Sequence, residues 1–159
     1  MALSHHRYVT ARAIIIENGE VLLFRRVRRN RLTRKVHEYY SIPGGEIDPG
    51  ERAEDAVVRE LQEEMGVDIS LDGQIGHHVG ALFEHHVFAA HIVNGKPRLA
   101  HDSEENEYMH EGNQYHVEWV PVERLTQKNL HYYAPFLSAI QRLAQGEQPY
   151  RIYRGEPIS

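Results

Sequence analysis

Residues 45–67 read GEIDPGERAEDAVVRELQEEMGV. Asp48-Pro49-Gly50 is a turn signal, and it ends where a helical pattern begins. Val57, Leu61 and Met65 recur at four-residue steps, with Val58 beside them, and form one apolar stripe. Gly66 stands where a left-handed helix stop belongs. The spacing predicts a helix over 52–65. Glu60, Glu63 and Glu64 then stand at i, i+3 and i+4, so they share one face, rotated away from the apolar stripe.

This arrangement breaks two local rules. Three like charges within one turn repel one another. They also sit near the helix C-terminus, where the macrodipole disfavours anions. Such conflicts concentrate at functional sites. A divalent cation removes both penalties. Several carboxylate oxygens in a chain without cysteine favour Mg²⁺ or Mn²⁺ over Zn²⁺. A solvated acidic helix face is the competing account of the glutamates alone, but the fixed spacing of glycines and Arg59 weighs against it. The preceding Ile42-Pro43-Gly44-Gly45 follows a strand-like run over 38–42, and paired glycines permit a close backbone approach to a ligand.

The string Gly45-x5-Glu51-x7-Arg59-Glu60-Leu61-x-Glu63-Glu64-x-Gly66-Val67 resembles the Nudix box at every fixed position. Tyr39-Tyr40-Ser41-Ile42-Pro43-Gly44-Gly45 before it and Glu118-Trp119-Val120-Pro121 after it extend the likeness to about residues 8–145. The resemblance implies an α/β fold, a Nudix-type α/β/α sandwich with a mixed β-sheet. It implies one Nudix hydrolase domain over 1–145, with a C-terminal tail over 146–159.

The same resemblance implies a metal-dependent hydrolase. Such an enzyme cleaves the diphosphate bond of a nucleoside diphosphate linked to another group, by water attack on phosphorus. Glu60, Glu63 and Glu64 would hold Mg²⁺ or Mn²⁺, with a backbone carbonyl from Gly45. Arg59 would orient one of these carboxylates, and Glu51 would hold the loop or contact the metal through water. The base is either a glutamate of the box or one on a later loop. Among Glu104, Glu105, Glu107 and Glu111, the preferred candidate is Glu111, which completes a catalytic set with Arg59, Glu60, Glu63 and Glu64. The expected partner is a small nucleoside diphosphate derivative. The alternatives are removal of an RNA 5′ end, or a ligand-sensing domain without turnover. The region 81–83 lacks the Pro or Tyr that marks some subfamilies, so no one derivative is selected.

Composition agrees with a compact soluble domain. The chain has 159 residues, 41% hydrophobic and 26% charged, and a formal net charge of −5. That charge argues against a general nucleic-acid binder. No apolar run reaches membrane-spanning length, no signal peptide is visible, and the absence of cysteine suits a cytoplasmic protein. Many members of the family are homodimers, but no coiled-coil pattern or interface stripe stands out here.

Strands are expected over 8–17, 21–25, 75–82, 83–93 and 114–120, and a terminal helix over 134–144. Asn18-Gly19 reads as a hairpin turn. Seven of the eleven residues 25–35 are basic. They read either as a phosphate-attracting rim or as a solvated loop, with Arg25 and Arg26 the better phosphate contacts. Gly44 and Tyr39 complete the substrate-binding candidates, although core packing is the commoner role for Tyr39, Tyr40 and Phe83. His77-His78 and His85-His86 are adjacent pairs whose side chains alternate across a strand. No spacing along the chain matches a zinc site, so the histidines read as surface or partly buried groups.

Overall fold

The structure is a computed structural model that describes residues 7–99 and 112–157. Strand β1 (Tyr8–Glu17) is its axis. Its residues alternate between two cores: Ile14 enters one, while Ala11, Ala13 and Ile15 enter the other. Asn18 and Gly19 both take positive φ, 51° and 75°, and turn the chain into β2 (Glu20–Arg29). Then come β3 (Val36–Ser41), β4 (Gly44–Glu46), helix α1 (Ala53–Met65), β5 (Asp68–Val79), β6 (Phe83–Asn94) and β7 (Asn113–Pro121). A 3-10 turn (Val122–Arg124) leads to α2 (Gln127–Leu130), a second 3-10 segment (His131–Phe136), α3 (Leu137–Ala144) and α4 (Pro149–Tyr153).

These strands form one mixed sheet with two arms. β1 runs parallel to β6 from Tyr8 to Ile15, and β6 pairs antiparallel with β5. The short β4 covers β1 at Thr10, Ala11 and Arg12. β1 meets β2 only at the hairpin mouth, and β2 carries β3 on one edge and β7 on the other. α1 packs Val57, Leu61 and Met65 onto one face, and Phe136, Ile140 and Ile152 of the C-terminal segments cover the opposite face. The expected α/β/α sandwich is therefore present. No helix among the described residues is long and apolar enough to cross a membrane.

The limits of α1 follow from local chemistry. Glu54 and Asp55 stand in its first turn, where anions suit the dipole. Gly66 ends it at φ 69°, and its N–H is donated to the Gln62 carbonyl. Val58, placed beside the apolar stripe by spacing, lies on the exposed side.

Three strand and helix limits differ from expectation. β2 continues through Arg29, so Arg25 to Arg29 belong to a strand paired on both edges, and only 30–35 form the loop. β5 begins at Asp68, because register shifts near Ile69, Gly73 and Gly76 interrupt its two-residue alternation. The terminal helix starts later, at Leu137. Pro135 lacks an N–H, and the chain ahead of Leu137 winds as 3-10. The expected polar loop with Glu104, Glu105, Glu107 and Glu111 lies outside the described residues. After Gly146, α4 packs beside β5, and Ile152 is buried.

Gly44 is the tightest backbone position. It sits at φ 142°, and a Cβ there would lie 2.1 Å from the Ala11 carbonyl oxygen. Gly66 has room, with its nearest atom 3.9 Å away, so alanine there meets only the left-handed strain of ~1 kcal/mol. Gly44→Ala is expected to lower unfolding free energy by about 3 kcal/mol. Urea unfolding of both variants checks this, and a Gly44→Ala midpoint at or above that of Gly66→Ala contradicts it.

Candidate active site

The three glutamates of α1 open into a cavity of about 340 Å³, walled on the other side by Gly44, Gly45 and the start of β1. Glu64 is the deepest, 3% exposed, and its Oε2 accepts from the Gly44 N–H at 3.2 Å. Glu60 lies against Gly45, where a Cβ would fall 2.6 Å from the Glu60 carboxyl carbon. Glycine is needed there so that the carboxylate can touch bare backbone. Glu63 stands at the exposed lip.

Arg59 ties this cluster to the loop before the helix. Its Nε and Nη2 donate to the two oxygens of Glu51, each at 2.8 Å. Nη1 donates to Glu60 Oε1 at 3.0 Å and Glu63 Oε2 at 3.1 Å, and Nη2 also donates to the Glu46 carbonyl at 3.1 Å. The forked pair is the strong kind of charge-assisted hydrogen bond. It pulls the Glu51 carboxyl down to about 2, helped by the Asp48 N–H, and it raises Arg59. Arg59 is thus a positioning residue for Glu51, Glu60 and Glu63.

The donors that face the cavity fit a hard divalent ion. They are carboxylate oxygens of Glu60, Glu63 and Glu64, joined at the lining by Glu46, Asp48, the Thr10 hydroxyl and peptide groups at Gly44 and Gly45, with no sulfur or imidazole among them. The bare backbone at Gly45 leaves the space that a Cβ would fill.

The other expected substrate contacts are dispersed. Gly44 lines the cavity. Arg25 does not: it bridges strands, donating to Glu118 at 2.6 Å and Glu38 at 2.9 Å. Arg26 lies on the opposite face, over the Tyr115 ring at 3.8 Å and the Tyr39 ring at 5.7 Å. Its Nε is buried and has no hydrogen-bond partner. Tyr39 is buried among His37, His131 and Tyr132 and does not line the cavity.

The site also holds three residues that sequence reading passed over: Arg12, Thr10 and His85. Arg12 lines the cavity and stacks its guanidinium 4.9 Å above the Tyr133 ring. Its Nη1 donates to the Ile42 carbonyl at 2.7 Å and its Nε to Thr10 Oγ1 at 3.2 Å. Thr10 Oγ1 lies 2.6 Å from His85 Nδ1. Burial, then the Arg12 charge, lowers His85 to about 4, so it is neutral at pH 7. Thr10 Oγ1 thus accepts from Arg12 and shares a second hydrogen bond with the His85 ring. Among the described residues, Arg12 has no carboxylate within ion-pair distance, and the cavity's other arginine, Arg59, is held by carboxylates. A cation inside the apolar-looking run of β1 was the available signal.

The Glu51 pair has a pH signature. Its folded pKa is depressed, so its stabilisation is full above the ordinary value of 4.5 and is lost as pH falls toward about 2. The difference in Tm between the wild type and Glu51→Gln is expected to shrink across that window. Parallel melting curves throughout would show that the pair contributes nothing.

Comparison with known proteins gives the same assignment. The family model described as the NUDIX domain matches residues 6–140. A Bacillus subtilis (strain 168) protein provisionally named an 8-oxo-dGTP diphosphatase is 35% identical over 85 residues, 52% of this chain and 52% of that protein. The chain therefore aligns with about half the length of that relative. The 8-oxo-dGTP diphosphatase of Escherichia coli (strain K12) is 45% identical over 51 residues, 32% of this chain and 36% of its own. Among solved structures, the MutT NUDIX hydrolase of Burkholderia pseudomallei superposes with a TM-score of 0.62 at 25% identity, covering 84% of this chain and 97% of that one. With its box glutamates gathered at one cavity on this fold, the chain belongs to the NUDIX domain family.

Proposed function

We propose that this protein is a metal-dependent pyrophosphohydrolase that splits a nucleoside diphosphate derivative into a nucleoside monophosphate and a phosphorylated remainder. One observation carries the reading: Glu60, Glu63 and Glu64 converge on a cavity that is also lined by the glycine backbone at Gly44 and Gly45 and by the Arg12 cation. The names of the B. subtilis and E. coli relatives favour an oxidised nucleoside triphosphate, a nucleoside diphosphate whose further group is phosphate. A cytoplasmic setting, where such nucleotides are found, belongs to this reading.

Glu60, Glu63 and Glu64, with backbone from Gly45, would hold Mg²⁺ or Mn²⁺. That ion would supply charge neutralisation at the phosphate oxygens and acidify water. The chain's own residues do the rest. Arg59 keeps two carboxylates aimed at the cavity. Arg12 offers a fixed positive charge to a diphosphate oxygen, held in aim by Thr10 and His85. A water oxygen adds to one phosphorus, the bridging P–O bond breaks, and the displaced oxygen leaves on the phosphorylated remainder. Glu111 takes the water's proton.

The test is product analysis on a panel of nucleotide sugars, dinucleoside polyphosphates and oxidised nucleoside triphosphates, with Mg²⁺ or Mn²⁺. Nucleoside monophosphate should form, and Glu63→Gln/Glu64→Gln should slow the reaction about a thousandfold. Tight nucleotide binding without turnover would make the protein a sensor instead. Glu111→Gln should lower kcat strongly and leave Tm unchanged, and near-normal turnover would remove Glu111 from the mechanism. Arg12→Met should raise KM about tenfold or more, because a charge-assisted contact to phosphate is lost. An unchanged kcat/KM would take Arg12 out of the site.

A further inference from the structure

The two histidine pairs of β5 and β6 meet across the sheet. His77 stands directly opposite His86 in the antiparallel register, and Glu84, two residues before His86, projects from the same face. His78 and His85 alternate to the other face, and there His85 is buried. On the shared face, the rings of His77 and His86 lie parallel, 10° apart in plane and 4.3 Å between centres. One oxygen of Glu84 addresses both rings, 2.7 Å from His77 Nε2 and 3.6 Å from His86 Nε2. All three donor atoms fall within 4.8 Å of one another.

We propose that His77, Glu84 and His86 form a binding site for a late first-row divalent ion, foremost Zn²⁺, separate from the glutamate cavity. Two imidazoles and one carboxylate are the donor set that Zn²⁺ prefers, and they leave a fourth position for water. The glutamate cavity offers only hard oxygen donors, so the two sites sort ions by softness. In the ion-free protein a ring proton stands between Glu84 and His77, on the line a cation would occupy. The side chains are 37%, 25% and 24% exposed, so an ion has access and the rings have room to turn out of their stack. That turn is needed, because parallel rings do not aim their in-plane lone pairs at one point, and imidazole χ2 is a soft torsion. The Gln74 amide lies 3.4 Å from His86 Nδ1. The other charges acting on the cluster are Glu54 of α1, which favours a cation, and Arg7, which opposes it. The ion would fasten β5 to β6 beside Phe83, a wall of the glutamate cavity.

The experiment is Zn²⁺ titration of the full chain against a chromophoric chelator, with excess Mg²⁺ present to occupy the glutamates. The wild type should take up one equivalent that Mg²⁺ does not displace. His77→Asn and His86→Asn should each weaken that uptake by about a hundredfold or more, and Glu84→Gln by a smaller factor. His91→Asn, an exposed histidine paired with Asp72 instead, should leave it unchanged. Equal uptake by the wild type and both histidine variants, or no uptake by the wild type, overturns the site. A second measurement needs no refolded variant. One equivalent of Cu²⁺ added to the wild type should show coupling to two imidazole nitrogens in its paramagnetic resonance spectrum. Fewer than two overturns the proposal.

Discussion

Arg59 holds together a patch of structure that electrostatics would otherwise push apart. Three glutamates on one turn of α1 repel each other and face the negative end of the helix dipole. No basic residue stands in the last turn to relieve them. Arg59 does so from one turn earlier, bonding Glu60 and Glu63 while its other edge grips Glu51. The same guanidinium reaches the Glu46 carbonyl, so helix, loop and β4 are joined at one side chain. Glu64 is stabilised separately, by the Gly44 N–H. A concentrated negative site is thereby kept in order before any ion arrives.

The sheet contributes the opposing charge. β1 sends Ala11, Ala13 and Ile15 toward α1, and Thr10, Arg12 and Ile14 toward the C-terminal segments. Arg12 therefore reaches the cavity from the far side of the sheet, braced by Tyr133 and by a buried threonine–histidine pair. β4 must pass close to β1 for this to happen, and Gly44 is the residue that permits it. The fold is thus used twice. One face supplies the carboxylates of the cavity, and the other supplies a cation that, among the described residues, is hydrogen-bonded to neutral oxygens.

Much of this was readable in the sequence, for physical reasons. α1 was legible because its apolar period, its turn and its stop glycine all agree, and the glutamates stood out because they violate the helix's own preferences. The first hairpin was legible from Asn18-Gly19. Other features were hidden. Arg12 lies between Ala11 and Ala13 in a run that leads into Ile14-Ile15-Ile16, so reading the run as a buried strand concealed the charge within it. Bulges removed the alternation that would have revealed the first half of β5. Arg25 looked like a phosphate contact because its partners, Glu38 and Glu118, lie on two other strands. The His77, Glu84 and His86 cluster is invisible to spacing along one chain, since register between strands brings it together.

The central claim is that α1 and the glycine backbone form one site for a divalent ion and a diphosphate. Its most direct test is a crystal structure with Mn²⁺ and a nucleoside diphosphate derivative whose bridging oxygen is replaced by methylene. The account predicts anomalous density for manganese among Glu60, Glu63 and Glu64, with the diphosphate between that ion and Arg12. Manganese bound elsewhere, or a nucleotide seated away from these glutamates, would contradict it.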